Sequence, residues 1–164
     1  MENVLQLVQT KLIRTDVQYE GSTKINTSKD VRRAFESVWG DPGELDREYF
    51  AVFGLDTKNH LSNIWLAAIG SLNATIVHPR EVLREAVETA CAAIIIAHNH
   101  PSGDPTPSQA DLALTRRLAK SGRTLGIDVF DHIIFGRYDS LSMHEQREKY
   151  GDALLINHRI FGLS

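Results

Sequence analysis

With 164 residues, 42% of them hydrophobic and 24% charged, the chain can build one domain with a real core, and it lacks the composition of a disordered segment. A net charge of -3 and a pI near 6.1 argue against nucleic-acid binding through bulk positive charge and leave only a local basic patch. The single cysteine, Cys91, excludes an internal disulfide, and no apolar run approaches the roughly 20 residues that cross a bilayer.

The N-terminal MENVLQLVQT lacks the basic-then-apolar order of a signal peptide, so a cytoplasmic location is expected. Lys11 to Tyr19 alternates loosely and is expected to form an edge strand, followed by a polar turn from Gly21 to Thr27. Ser28 is expected to cap a helix reaching Trp39, because Val31, Phe35, Val38 and Trp39 recur at helical spacing. Gly40-Asp41-Pro42-Gly43 ends that helix. Glu48 to Asp56, EYFAVFGLD, is rich in aromatic residues and reads as a strand. Asp56-Thr57-Lys58-Asn59 turns it back into a second strand, Leu61 to Ile69. A turn from Gly70 to Asn73 and a short strand from Ala74 to Val77 follow. His78-Pro79-Arg80-Glu81 then opens a helix through about Ala90, with Val82, Leu83, Ala86 and Val87 on one face.

Cys91 is expected to be a small buried hydrophobe. Ala92 to Ala97 is apolar on both alternating faces, as in a strand covered on both sides. This strand empties into His98-Asn99-His100 and then into PSGDPTP, which cannot continue as helix. A helix opens at Ser108 and ends near Ser121-Gly122. Leu125 to Phe135 is read as a strand interrupted at Asp131-His132, Asp139 to Ser142 as a loop, Met143 to Tyr150 as a helical turn, and Ala153 to Phe161 as a last strand. Without repeats or linkers, the chain reads as one α/β domain, 1–164, with a mixed β-sheet and flanking helices.

The segment from Cys91 to Lys120 carries the chemistry. Alternate residues of an extended chain face the same side, so His98 and His100 can point together as the strand ends. Asp111 lies one turn into the following helix, and the intervening loop must bring it back. Pro101, Pro105 and Pro107 restrict that loop, and Gly103 permits a sharp turn. Two imidazoles and a carboxylate suit zinc, and three protein ligands leave one position open, the catalytic rather than the structural pattern. Ser108 and Asp111 also have a structural reading, a capping box with Asp in place of Glu or Gln. Ser108 could serve both as cap and as a contact to substrate.

His98-X-His100, ten intervening residues and Asp111, with Ser108 inside, resembles the JAMM (MPN-plus) metalloprotease signature. The narrower string HNHPSGDPTPSQAD resembles the RadC family, as do HPREV at 78–82 and DHIIFG at 131–136. The resemblance covers about residues 24–142. It implies a cytidine-deaminase-like JAMM/MPN fold, a zinc site, and an upstream glutamate at a strand start that activates the catalytic water. Glu48 matches that position, with Glu44 and Glu81 as competitors. Ser108 would donate to the developing oxyanion. Longer RadC proteins carry a helix-hairpin-helix segment ahead of this domain, so the chain looks like a short stand-alone form.

Asp104 and Asp131 are partners for the ligand histidines by residue type alone. Asn99 is expected to face away, His132 to be structural, and His60, His78, His144 and His158 to be structural or exposed. The expected activity is zinc-dependent hydrolysis of a peptide or isopeptide bond. A nucleobase deaminase would draw on a Cys-X-X-Cys pair, which is missing here. The alternatives of another class are a non-catalytic module and a DNA-associated accessory protein on the same fold. The C-terminal NHRIFGLS is apolar enough to suggest a homodimer.

Overall fold

The computed structural model describes residue 16, residues 19–70 and residues 77–150. The expected strands from Lys11 to Tyr19, Ala74 to Val77 and Ala153 to Phe161 fall wholly or largely outside those residues. So does the C-terminal segment behind the dimer expectation.

Helix α1 spans Ser28–Trp39. Its cap is Thr27 rather than Ser28: Asp30 Oδ2 accepts from the Thr27 main-chain N–H at 2.9 Å and from its hydroxyl at 3.0 Å. The hairpin consists of β1, Tyr49–Leu55, and β2, Leu61–Ile69. Helix α2, Pro79–Glu88, starts on its proline, which has no N–H to leave unsatisfied in the first turn. Then come β3, Ala93–Asn99, and α3, Gln109–Leu125. The latter runs past Gly122 to a left-handed cap at Gly126. Strand β4, Asp128–Phe135, is followed by β5, Ser140–Ser142, where a loop was expected, and by the short α4, Arg147–Tyr150.

Among the described residues the strands form one sheet in the order β2-β1-β3-β4-β5. Only the β3–β4 pair is parallel, and α3 makes the crossover between them. Central β3 is fully buried, which explains its unbroken apolar run. Ile94 and Ile96 pack with Phe50, Val52, Val82, Leu83, Leu114 and Leu118, beneath α2 and α3. Ala93, Ile95 and Ala97 pack on the opposite face with Val31, Ala34, Phe35 and Phe53, beneath α1. The mixed sheet with flanking helices therefore agrees with the expected α/β class.

Strand β4 is not interrupted at Asp131-His132. It carries a β-bulge: Ile94 pairs with Val129 and Ile95 with Asp131, so Phe130 is the extra residue. The insertion shifts the alternation, and His132 joins Val129 on the α3 face. Asp131 is fully enclosed, its carboxylate accepting from the main-chain N–H groups of His132 (2.7 Å) and His144 (2.9 Å) and from the Ser142 hydroxyl (2.5 Å). Burial outweighs these donors and pushes its pKa up to about 6. A carboxyl raised in the folded state contributes stability that is full below its unfolded pKa, near 4, and is lost as pH rises through about 6. Urea unfolding of the zinc-free chain should therefore show wild type losing about 2–3 kcal/mol between pH 4 and pH 8 relative to Asp131→Asn. Parallel pH profiles for the two proteins would contradict this assignment.

Candidate metal centre

His98 is the penultimate residue of β3 and shares the α3 face with Ile94 and Ile96. His100 follows on the same side just beyond the strand. Asn99 faces the other way, as expected, accepting from the Tyr49 N–H and donating to the Arg47 carbonyl, both at 2.8 Å. These two bonds tie the end of β3 to the start of β1.

The loop returns the chain sharply. Gly103 has φ +85°, and its N–H donates to the His100 carbonyl at 2.9 Å. The loop packs so closely on Gly136 that a Cβ there would lie 2.6 Å from the Gly103 carbonyl oxygen and 2.9 Å from Pro105. Helix α3 then opens with a reciprocal capping box. Asp111 N–H donates to Ser108 Oγ at 3.1 Å, while Asp111 Oδ2 accepts from the Ser108 N–H at 2.7 Å and from its hydroxyl at 2.6 Å. The cap therefore fixes the carboxylate, with Oδ1 toward His98 and Oδ2 toward His100.

His98 Nε2 and His100 Nε2 lie 3.0 Å apart. Asp111 Oδ1 is 3.4 Å from the first, and Asp111 Oδ2 is 3.5 Å from the second. Bonds of about 2.0–2.1 Å at tetrahedral angles would set donor atoms about 3.3–3.4 Å apart, so the spacing fits zinc. The ring chemistry fits as well. His100 Nδ1 lies 2.7 Å from the Asp104 main-chain carbonyl, which can only accept; the proton therefore sits on Nδ1, and Nε2 is left for the cation. It is this carbonyl, not the Asp104 carboxylate, that holds the ring.

Asp111 is 3% exposed and His98 is fully buried. Burial, with His132 adjacent, lowers the His98 pKa well below its ordinary value. The Asp111 carboxylate raises that of His100. Burial pushes Asp111 itself upward, yet His100, His98 and Ser108 together hold it well below the usual carboxylate range. The cluster thus presents a carboxylate and a neutral buried imidazole.

Glu48 immediately precedes β1. The register pairs Phe50 with His98, and continuing it two residues sets Glu48 across from His100. Its charge acts on that ring in the upward direction. Glu48 also lines a cavity of about 360 Å³ with Asp46, Arg47, Gly70 and Pro101. The other glutamates lie elsewhere: Glu44 in a short 3-10 turn and Glu81 in the first turn of α2.

His132, expected to be structural, approaches the site directly. Its Nε2 is 2.8 Å from His98 Nδ1, and its Nδ1 is 2.5 Å from Thr115 Oγ1. The latter is 2.6 Å from the Asp111 main-chain carbonyl. Asp131, the partner considered by residue type, hydrogen-bonds to neither His98 nor His100 and instead accepts from Ser142 of β5 and from the His144 N–H. Polar residues in the otherwise apolar β4 were the available signal for His132; Thr115 gave none. Among the described residues, His98, His100 and Asp111 are the one group of His, Cys, Asp or Glu side chains spaced to hold an ion. No helix among these residues is long and apolar enough to cross a membrane.

Comparison with known proteins agrees with this architecture. Residues 25–149 match the model of the RadC-like JAB domain. A UPF0758 protein of Desulfitobacterium hafniense is 47% identical over 122 residues, covering 74% of this chain and 52% of the relative. UPF0758 proteins of Methanosarcina mazei (46% over 124 residues, 74% of this chain and 53% of the relative) and Moorella thermoacetica (54% over 99, 59% and 43%) are also similar. The chain spans about half the length of the curated relatives it matches. The match along most of the chain, the sheet with its flanking helices and the His-His-Asp cluster together establish that this chain belongs to the RadC family and carries its JAB/MPN-type domain.

Proposed function

We propose that the chain is a zinc-dependent hydrolase of the JAMM type, acting on a peptide or isopeptide bond. The observation that carries this reading is the convergence of His98 Nε2, His100 Nε2 and the Asp111 carboxylate at spacings suited to a tetrahedral ion. When bound, zinc supplies Lewis-acid chemistry, polarising the scissile carbonyl and lowering the pKa of a water from about 15.7 toward about 7.

The chain's own residues supply the proton transfers. Glu48, across from His100, accepts a proton as the water oxygen bonds to the carbonyl carbon. It then passes that proton to the leaving amine as the C–N bond breaks, a contribution of about 10²–10⁴-fold. Ser108 carries a hydroxyl proton now directed at Asp111 and is the donor available to a developing oxyanion. The cavity beside Glu48, bordered by Pro101 at the base of the ligand loop, is a route for an extended substrate.

Metal analysis and hydrolysis of peptide and isopeptide substrates test the proposal together. Stoichiometric zinc with chelator-sensitive cleavage is the expected result; neither zinc binding nor cleavage would leave a non-catalytic module. Ser108→Ala offers a finer test. Loss of the cap should lower stability by about 1 kcal/mol. Loss of an oxyanion donor should lower kcat by about 10²–10³-fold with KM little changed. A variant that loses only the stability would have Ser108 as a cap alone.

A further inference from the structure

A neutral imidazole offers a lone pair at Nε2 only when its proton sits on Nδ1. For His98 the groups behind the ring make that choice. The Asp111 carbonyl can only accept, so the 2.6 Å contact takes the single hydroxyl proton of Thr115. The Met143 thioether, 3.8 Å from the same hydroxyl, is a weak competitor. Thr115 Oγ1 is then left to accept from His132 Nδ1, 2.5 Å away, which must carry the hydrogen. His132 is fully buried, where an ionic ring is costly, so its other nitrogen is bare. That nitrogen accepts from His98 Nδ1 at 2.8 Å, and His98 Nε2 is left without a hydrogen, facing His100 and Asp111.

We propose that His132 and Thr115 are positioning residues forming a one-way hydrogen-bond chain. It runs from His98 Nδ1–H to His132, from His132 Nδ1–H to Thr115, and from the Thr115 hydroxyl to the Asp111 main chain. Its effect is to hold open the lone pair that His98 presents to the cation. The purpose assigned to the chain rests on the zinc reading above; the chain itself belongs to the metal-free protein. Each link has a cause in the fold. Thr115 lies one helical turn after Asp111, so its hydroxyl reaches back to that carbonyl. The extra residue in β4 turns His132 toward α3. The path begins on one proposed ligand and ends on the backbone of another.

The test reads the rings directly. Two-bond proton–nitrogen correlation spectra of the zinc-free full chain near pH 7.5 should show His98 protonated at Nδ1 and bare at Nε2. Thr115→Val keeps the shape and removes the acceptor. The His132 hydrogen should then move to Nε2, pushing the His98 hydrogen onto its own Nε2, and chelator competition should show zinc held about 10–100-fold more weakly. Thr115→Ser retains the hydroxyl and should restore both signals to wild type. A wild-type His98 protonated at Nε2 would overturn the proposal, as would Thr115→Val with unchanged tautomer and affinity. If Thr115→Val fails to fold, the wild-type and Thr115→Ser spectra decide alone. If wild type binds no zinc, the hydrolase reading falls and the ring spectra still uphold or overturn the chain.

Discussion

His100→Ala should lose stoichiometric zinc and all measurable hydrolysis while the chain remains folded. The side chain lies just past the end of β3 and is 14% exposed, so its removal opens no sealed cavity. The main-chain bonds that seat the loop, His100 N–H to Phe135 and Gly103 N–H to His100, both at 2.9 Å, do not involve the ring. What disappears is one of three candidate donors, together with the ring's 2.7 Å bond to the Asp104 carbonyl. Two donors remaining should hold zinc more weakly by a factor larger than the about 10–100-fold expected for an outer partner. Metal content after dialysis, circular dichroism and cleavage on one preparation make the check. Stoichiometric zinc in a folded His100→Ala protein would remove His100 from the ligand set.

Glu48→Gln should separate chemistry from metal binding. Gln keeps the shape and much of the hydrogen-bonding capacity of Glu but cannot take up a proton near neutral pH. Glu48 stands outside the three-residue cluster, so zinc content should match wild type. Turnover should fall about 10²–10⁴-fold, the usual contribution of a positioned general base. An unchanged kcat would return the role to another carboxylate, for which neither Glu44 nor Glu81 has a comparable position.

The strands and the proposed ligands were readable because their signals are local. An apolar run ending in His-X-His identifies a buried strand releasing two side chains on one side, and β3 does this. Proline and glycine in the following loop, then Ser108 and Asp111 at capping distance, mark the return, and the observed cap joins those two residues reciprocally. His132 was not readable because its partner lies 34 positions away and only the β3–β4 pairing brings them together. Thr115 looks like any polar residue on a helix until the opposite strand is known. Strand β5 is too short to show a period, and its pairing depends on β4. The extension of α3 past Gly122 has a tertiary cause: a Cβ there would lie 2.4 Å from the Ile127 carbonyl, so this glycine permits close packing rather than ending the helix.

The single unpaired position at Phe130 has a consequence for anyone reshaping this sheet. A strand paired regularly with every residue kept would slip one half by one position and turn that half over. With the downstream half kept in register, Val129 would pair with Ala93 and turn toward α1. With the upstream half kept instead, His132 would turn toward α1, and the rear nitrogen of His98 would face hydrocarbon. An imperfection in the ladder therefore sets the phase between Val129 and His132, and grafting the three proposed ligands onto an ideal sheet would omit it.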